Sequence, residues 1–249
     1  MDILCPLVML VYRCRIINTN KIMSNEAIPN FKDNLVNAFG IQGSYEITAV
    51  LAESLHSALR NIPLVREPNL TIDIRLNVDP FYGQPPHVMA AYANGISETV
   101  TVILDTSAKS AAISSRLYGM AHHEIAHIAH HQQNADISSF NSPLGWAIKE
   151  GIAQHASEDG FYNYLHSENL TLTQATDIAL EELDKLLSGY YDDYDKYDFL
   201  FGGDQVLGRG YYVGSYVVSR LAMYESAELT ELMQSPIERF RSFVKSDIQ

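Results

Sequence analysis

The stretch Gly119 to His131, GMAHHEIAHIAHH, constrains the chain more than any other. It contains one HExxH arrangement: His123, Glu124 and His127. On a helix, positions i and i+4 lie on one face a single turn apart, so two imidazole nitrogens can reach one ion at about 2.0 to 2.1 Å. Glu124 lies about 100° round from His123 by the helical period, flanking that face as a base rather than a ligand. Leu117, Ala121, Ile125 and Ile128 form an apolar stripe roughly opposite the two histidines. One face can therefore pack while the other opens to a cleft.

A catalytic zinc site takes three protein ligands and keeps an open position, so a third ligand must be found elsewhere. A continuation as HExxHxxGxxH would need a glycine where His130 stands and a histidine where Gln133 stands, so the metzincin pattern fails twice. His131 cannot join His123, because eight residues of helix separate them by about 12 Å. The best candidate is Glu150 in SPLGWAIKEGIAQH, Ser142 to His155. Ser142 is an N-cap residue type and Pro143 occupies the first helical position, where its missing N–H is harmless. Leu144, Ile148 and Ile152 mark a buried side, Glu150 projects the other way, and Gly151 permits close approach of a neighbouring segment. The intervening Asn134 to Asn141 leaves room for a turn and an antiparallel return, so that two facing helices complete a His, His, Glu triad.

Around this centre the pattern divides in two. Ile47, Val50, Leu51, Leu55 and Leu59 recur at helical spacing over Tyr45 to Leu59, and LTIDIRLNV (Leu70 to Val78) alternates as a half-buried strand does. Two more strands, His87 to Tyr92 and Glu98 to Leu104, flank the Asn94-Gly95 turn signal. After Asp105 the periodicity predicts helices over Ala111 to Gln133, Pro143 to Ser157, Leu172 to Leu187, Tyr211 to Tyr224, Leu229 to Met233 and Ile237 to Val244. The fold class expected is α+β and zincin-like. A small sheet and the metal-binding helix form an N-terminal lobe, facing an all-helical C-terminal lobe. Ser188 to Asp204, with its aspartates and tyrosines, reads as a solvated loop; it lacks EF-hand order, and a calcium site is the minority alternative.

Composition limits the partners. With 30 Asp+Glu against 17 Lys+Arg the formal charge is −13, which repels a phosphate backbone, so nucleic acid is excluded as a partner. Both cysteines, Cys5 and Cys14, lie at the N-terminus, leaving the body without a disulfide of its own. That permits a reducing compartment, and a cytoplasmic location is the expectation. The apolar run Ile3 to Tyr12 lacks a basic flank and is too short to span a bilayer, although it leaves export or anchoring open. Residues 1–22 are read as an extension upstream of a second possible start at Met23, followed by one two-lobed domain over 23–249.

Three segments together carry a family resemblance: HHEIAHIAHH, KEGIAQH (Lys149 to His155) and GRGYYVGSYVVSRL (Gly208 to Leu221). They resemble the DUF2268-type predicted zinc-dependent proteases, among the gluzincin-like peptidases, over roughly Leu70 to the C-terminus. The resemblance implies one zinc ion per chain held by His123, His127 and Glu150, a peptide or protein substrate, and Tyr211 of the GYxxG motif pointing into the site. There are departures: Gln154 stands where many gluzincins carry an aspartate that orients a ligand, leaving Gln154, Glu158 and Asp159 unranked for that task. Ser215 stands where a second tyrosine is usual.

The chemistry expected is metallopeptidase hydrolysis by a zinc-activated water, with Glu124 as general base. The alternative is a narrow or inactive zinc-site protein that binds peptides. Tyr211 is either a packed tyrosine or an oxyanion donor. Tyr212 and Trp146 are read as packing residues, His122, His130 and His131 as solvated or capping, and His155 as packed or at the surface. A substrate peptide is expected to pair with an exposed edge at Glu98 to Leu104.

Overall fold

The structure, a computed structural model, describes residues 13–16, 31–77, 88–157, 171–194, 199–200 and 208–247. It is mixed α and β, mostly helical, with one small sheet. The elements are β1 (Arg13–Ile16), α1 (Phe31–Asn61), β2 (Thr71–Leu76), β3 (Met89–Asn94), β4 (Thr99–Leu104) and α2 (Ser110–Gln133). A 3-10 turn (Ile137–Phe140) leads to α3 (Pro143–Ala156), α4 (Leu172–Leu187), α5 (Arg209–Glu225), α6 (Leu229–Gln234) and α7 (Ile237–Asp247). Among the described residues no helix is long and apolar enough to cross a membrane. The apolar run Ile3 to Tyr12 and Met23 lie outside them.

The sheet order is β1-β2-β4-β3, with β1 and β4 parallel to β2 and β3 antiparallel to β4. The first strand, inside the stretch read as an upstream extension, pairs Arg13 with Thr71 and Ile16 with Ile74. The interior of the sheet is β4, where Val100, Val102, Ile103 and Leu104 are fully buried. This corrects one expectation: Glu98 to Leu104 is not an exposed edge, because β2 and β3 hydrogen-bond to it on both sides. The edge strand facing α2 is β3.

The hairpin turn between β3 and β4 is built by local polar groups. Asn94 Oδ1 accepts the N–H of Ile96 and Ser97, both at 3.0 Å. Glu98, left-handed at φ 50°, is buried. Its carboxylate accepts from Arg66, from the Asn69 N–H at 2.6 Å and from Gln132 at 3.1 Å. One acidic side chain thus ties the hairpin to the approach to β2 and to the last turn of α2. Burial works against its charge, but these donors together hold the carboxyl below its usual pKa.

The helix α1 begins well before Tyr45. Gly40, at φ 72° and ψ 171°, interrupts it with a conformation open to glycine, and Leu35 on the far side of that break is buried. In α3, Ser142 Oγ accepts the Gly145 N–H at 3.2 Å and Pro143 occupies the first turn, as the sequence predicts. One continuous core runs from α1 and the sheet through α2 and α3 to α7. Buried Asn134 closes it by donating to the carbonyls of Met233 and Ser235, at 3.1 and 2.9 Å.

The expected solvated loop after α4 is partly overturned. Tyr191, Phe199 and Leu200 are buried in the core, with Tyr191 and Phe199 ring centroids 5.0 Å apart and the Tyr191 hydroxyl donating to Glu182. Tyr191 and Phe199 turn inward from this acidic stretch, while Tyr190, Asp192 and Asp193 face solvent. Asp195, Asp198 and Asp204, on which the calcium alternative relies, lie outside the described residues.

The closest helix contact is between α3 and α5. A Cβ at Gly151 would lie 2.2 Å from the Gly214 carbonyl oxygen, and one at Gly214 would lie 1.8 Å from the Ala147 carbonyl oxygen. Neither distance is available to a side chain, so the two backbones touch only because both residues are glycine. Replacing Gly214 by alanine is expected to force the helices apart, lowering stability by about 1 to 3 kcal/mol or more. Thermal denaturation of Gly214→Ala with an unchanged midpoint would contradict this packing.

Candidate metal centre

The HExxH turn of α2 brings His123 and His127 edge to face, with ring centroids 4.8 Å apart and their Nε2 atoms 3.2 Å apart. From α3, Glu150 Oε2 approaches both nitrogens at 3.3 Å. Leu117, Ala121, Ile125 and Ile128 are fully buried on the opposite side of α2, and Leu144, Ile148 and Ile152 on that of α3. The predicted amphipathic division of both helices therefore holds. It leaves His123, His127 and Glu150 facing one another, a cluster that can hold a metal ion.

The geometry of the donors can be tested against that use. An ion bound tetrahedrally at about 2.0 to 2.1 Å requires ligand atoms about 3.3 to 3.4 Å apart. The observed separations of 3.2, 3.3 and 3.3 Å form a nearly equilateral face of that size. Two imidazole nitrogens at this distance repel unless a proton or a cation lies between their lone pairs.

Electrostatics divide the two carboxylates. Burial works against the charge of Glu150, but the His127 charge and the hydrogen bonds from both histidines outweigh it and hold its pKa well below the usual range. Burial likewise raises the pKa of Glu124, and there it wins: His123 and His127 pull down, Glu150 pushes up, and the net direction is upward. His123 is also pushed above the ordinary histidine value. Burial opposes its charged form, but the Glu150 hydrogen bond and the charges of Glu124 and Glu150 prevail.

Glu124 is buried, accepts a hydrogen bond from the backbone N–H of Ala93 on β3, and keeps Oε2 without a hydrogen-bond partner among the described residues. An unpartnered buried carboxylate oxygen beside three converging donors is positioned to take a proton from a molecule held there. Tyr211 opens α5, half-buried, its ring stacked toward His123 at a centroid distance of 6.5 Å and an interplanar angle of 23°. All five predicted site residues thus come together. Tyr212 packs instead against Ala175 and Ala179 of α4, and Trp146 is partly buried against the core, both as expected.

The remaining histidines divide. His122 and His130 are buried rather than solvated, correcting that expectation. His130 meets Phe140 edge to face at 5.0 Å, and burial pushes its pKa down to about 3. His130 lies on the same side of α2 as His127 and is covered there by Phe140, a non-local contact that the periodicity of α2 does not reveal. The contact from Ala93 to Glu124 was also missed, because a backbone donor leaves no mark in the sequence. Glu158 and Asp159 lie outside the described residues.

Comparisons of the chain with protein-family models, with curated proteins and with solved structures find no match.

Elemental analysis tests the centre. About one divalent ion per chain is expected at neutral pH, falling to roughly a tenth or less in Glu150→Ala. Each histidine must lose its proton to bind metal, so acidification is expected to weaken binding and release the ion. Full retention in Glu150→Ala, or at acid pH, would contradict the assigned ligands.

Proposed function

We propose that this chain is a zinc-dependent metallopeptidase, with His123, His127 and Glu150 as ligands and Glu124 as general base. The observation that carries the reading is the near-equilateral triad of Nε2, Nε2 and Oε2 beside the unpartnered Oε2 of Glu124. Two neutral imidazoles and one carboxylate make a mixed nitrogen and oxygen set of the kind that suits zinc in an open catalytic site. The likeness of the HExxH, EGxA and GYxxG segments to DUF2268-type predicted zinc-dependent proteases supports the same assignment.

Zinc bound there would act as a Lewis acid on a carbonyl oxygen and make a nearby water more acidic. The side chains of this chain do the rest. Glu124 accepts the proton of the attacking water at Oε2 and passes it to the departing amine. Its upward-shifted pKa favours both transfers, since an effective acid–base group titrates near the working pH. The backbone N–H of Ala93 on β3 lies against the same carboxylate and favours its charged form. Tyr211, stacked beside His123, supplies a hydroxyl that donates to the oxyanion as it forms. An extended peptide would add to the β3 edge, the strand adjoining the base, and not to β4.

A digest of a mixed peptide library tests the assignment. Wild type is expected to cleave, Glu124→Gln to lose about 10² to 10⁴-fold in rate while retaining metal, and Tyr211→Phe to lose on the order of a hundredfold. A metal-loaded wild type that cleaves no peptide would overturn the peptidase reading in favour of a narrow substrate or a peptide-binding role.

A further inference from the structure

A second concave feature lies away from the triad. The cleft, of about 800 Å³, is lined by the last residues of α1, α3 and α5 and the entry to α6. Tyr211 starts α5 while Met223 in its last turns lines this cleft, so the two features lie toward opposite ends of one helix, about 18 Å apart along its axis.

The polar group that singles the cleft out is His122. The residue is 1% exposed and lines the cleft. Nδ1 lies 3.0 Å from the Tyr118 carbonyl oxygen, an acceptor, so in the neutral ring Nδ1 carries the proton and Nε2 presents a lone pair. That Nε2 is buried and has no hydrogen-bond partner among the described residues. A buried acceptor in this state calls for a donor.

The surroundings specify the kind of donor. Three helices end at the cleft, at Asn61, Ala156 and Glu225, and their C-terminal carbonyls carry partial negative charge. Glu228 adds a carboxylate at the rim, and no lysine or arginine is among the described lining residues. Ile62, Met223 and Leu229 supply apolar wall. Acceptors and negative potential at one place beside an aliphatic surface match an ammonium group on a methylene chain. An anion is disfavoured there, because the one helix N-terminus at the cleft among the described residues, that of α6, is already capped by Glu228.

We propose that this cleft binds an aliphatic amine, its ammonium head donating to His122 Nε2 and the helix-end carbonyls and its methylene chain lying on Met223 and Leu229. The same chemistry is offered by a free diamine and by a lysine side chain of a peptide.

Isothermal titration of metal-loaded protein with butane-1,4-diamine and with Nα-acetyl-lysine amide tests this, with butan-1-ol and butyrate as neutral and anionic controls. Saturable one-site binding of an amine is expected, without binding of either control. Tighter binding of the diamine assigns a free small molecule, and tighter binding of the lysine amide assigns a peptide side chain. His122→Phe, which keeps the ring contact with Tyr118, and Ser219→Trp, which fills the cleft from α5, should each weaken binding about tenfold or more. Metal content should stay that of wild type in both. Glu150→Ala, depleted of metal, should bind the amine as wild type does, which separates this cleft from an amine ligating the ion. No saturable amine binding, equal binding of butyrate, undiminished affinity in both cleft variants, or loss of binding in Glu150→Ala would each overturn the proposal.

Discussion

The backbone contact between Gly151 and Gly214 fixes what the site can be. Gly151 adjoins Glu150 of the candidate metal centre, and Gly214 follows Tyr211 by one helical turn. Because both positions lack a Cβ, α3 and α5 meet at the distance of carbonyl against Cα, where any side chain would have to be displaced. That close approach brings the aromatic start of α5 over the ring of His123 while Glu150 reaches the same ring from α3. The side chains of Glu150 and Tyr211 can rotate, but the two helices presenting them have little freedom to separate. Precision at a site of this kind comes from the elements beneath it.

Charge completes what packing begins. Two carboxylates enter one buried space, and their environments drive them in opposite directions: Glu150, paired with both histidines, stays ionised, whereas Glu124 is pushed toward the protonated form. Divergent carboxylates are the arrangement that acid–base chemistry at neutral pH needs, one group as a permanent anion and the other exchanging a proton. The divergence follows from which groups share hydrogen bonds. Glu150 has two imidazoles as direct partners, while Glu124 has one backbone N–H and an idle oxygen.

Much of this was legible in the sequence, and the reason differs by element. The helices from α2 onward follow strong apolar periodicity with sharp ends, such as Ser142-Pro143 at α3 and the Thr171 capping box at α4, so their limits agree to within two or three residues. The triad was legible because i, i+4 spacing and a buried stripe on the opposite face leave little choice about where His123 and His127 point. What escaped was non-local. Strand order depends on which strands pair, and the alternation in Glu98 to Leu104 does not say that β2 takes its second edge. The early part of α1 was hidden by Gly40, where the backbone leaves helical geometry and two helical stretches join across a kink. The inward turn of Tyr191 and Phe199 from an aspartate-rich stretch needed the α3–α5 pair beneath them, since tyrosine and phenylalanine bury wherever apolar surface is offered.

The small sheet then takes on a part that its size does not announce. Glu124 meets the main chain of Ala93 rather than a rotatable side chain, and the position of Ala93 is set by the register of β3 on β4. That register is in turn anchored at the hairpin by Glu98, whose partners Arg66, Asn69 and Gln132 come from the approach to β2 and from α2 itself. The helix that carries Glu124 is therefore tied at its last turn to the hairpin whose first strand meets that carboxylate two turns earlier. A loop of contacts closed in this way resists rotation of α2 about its own axis, the one motion that would remove His123, Glu124 and His127 from the cleft together.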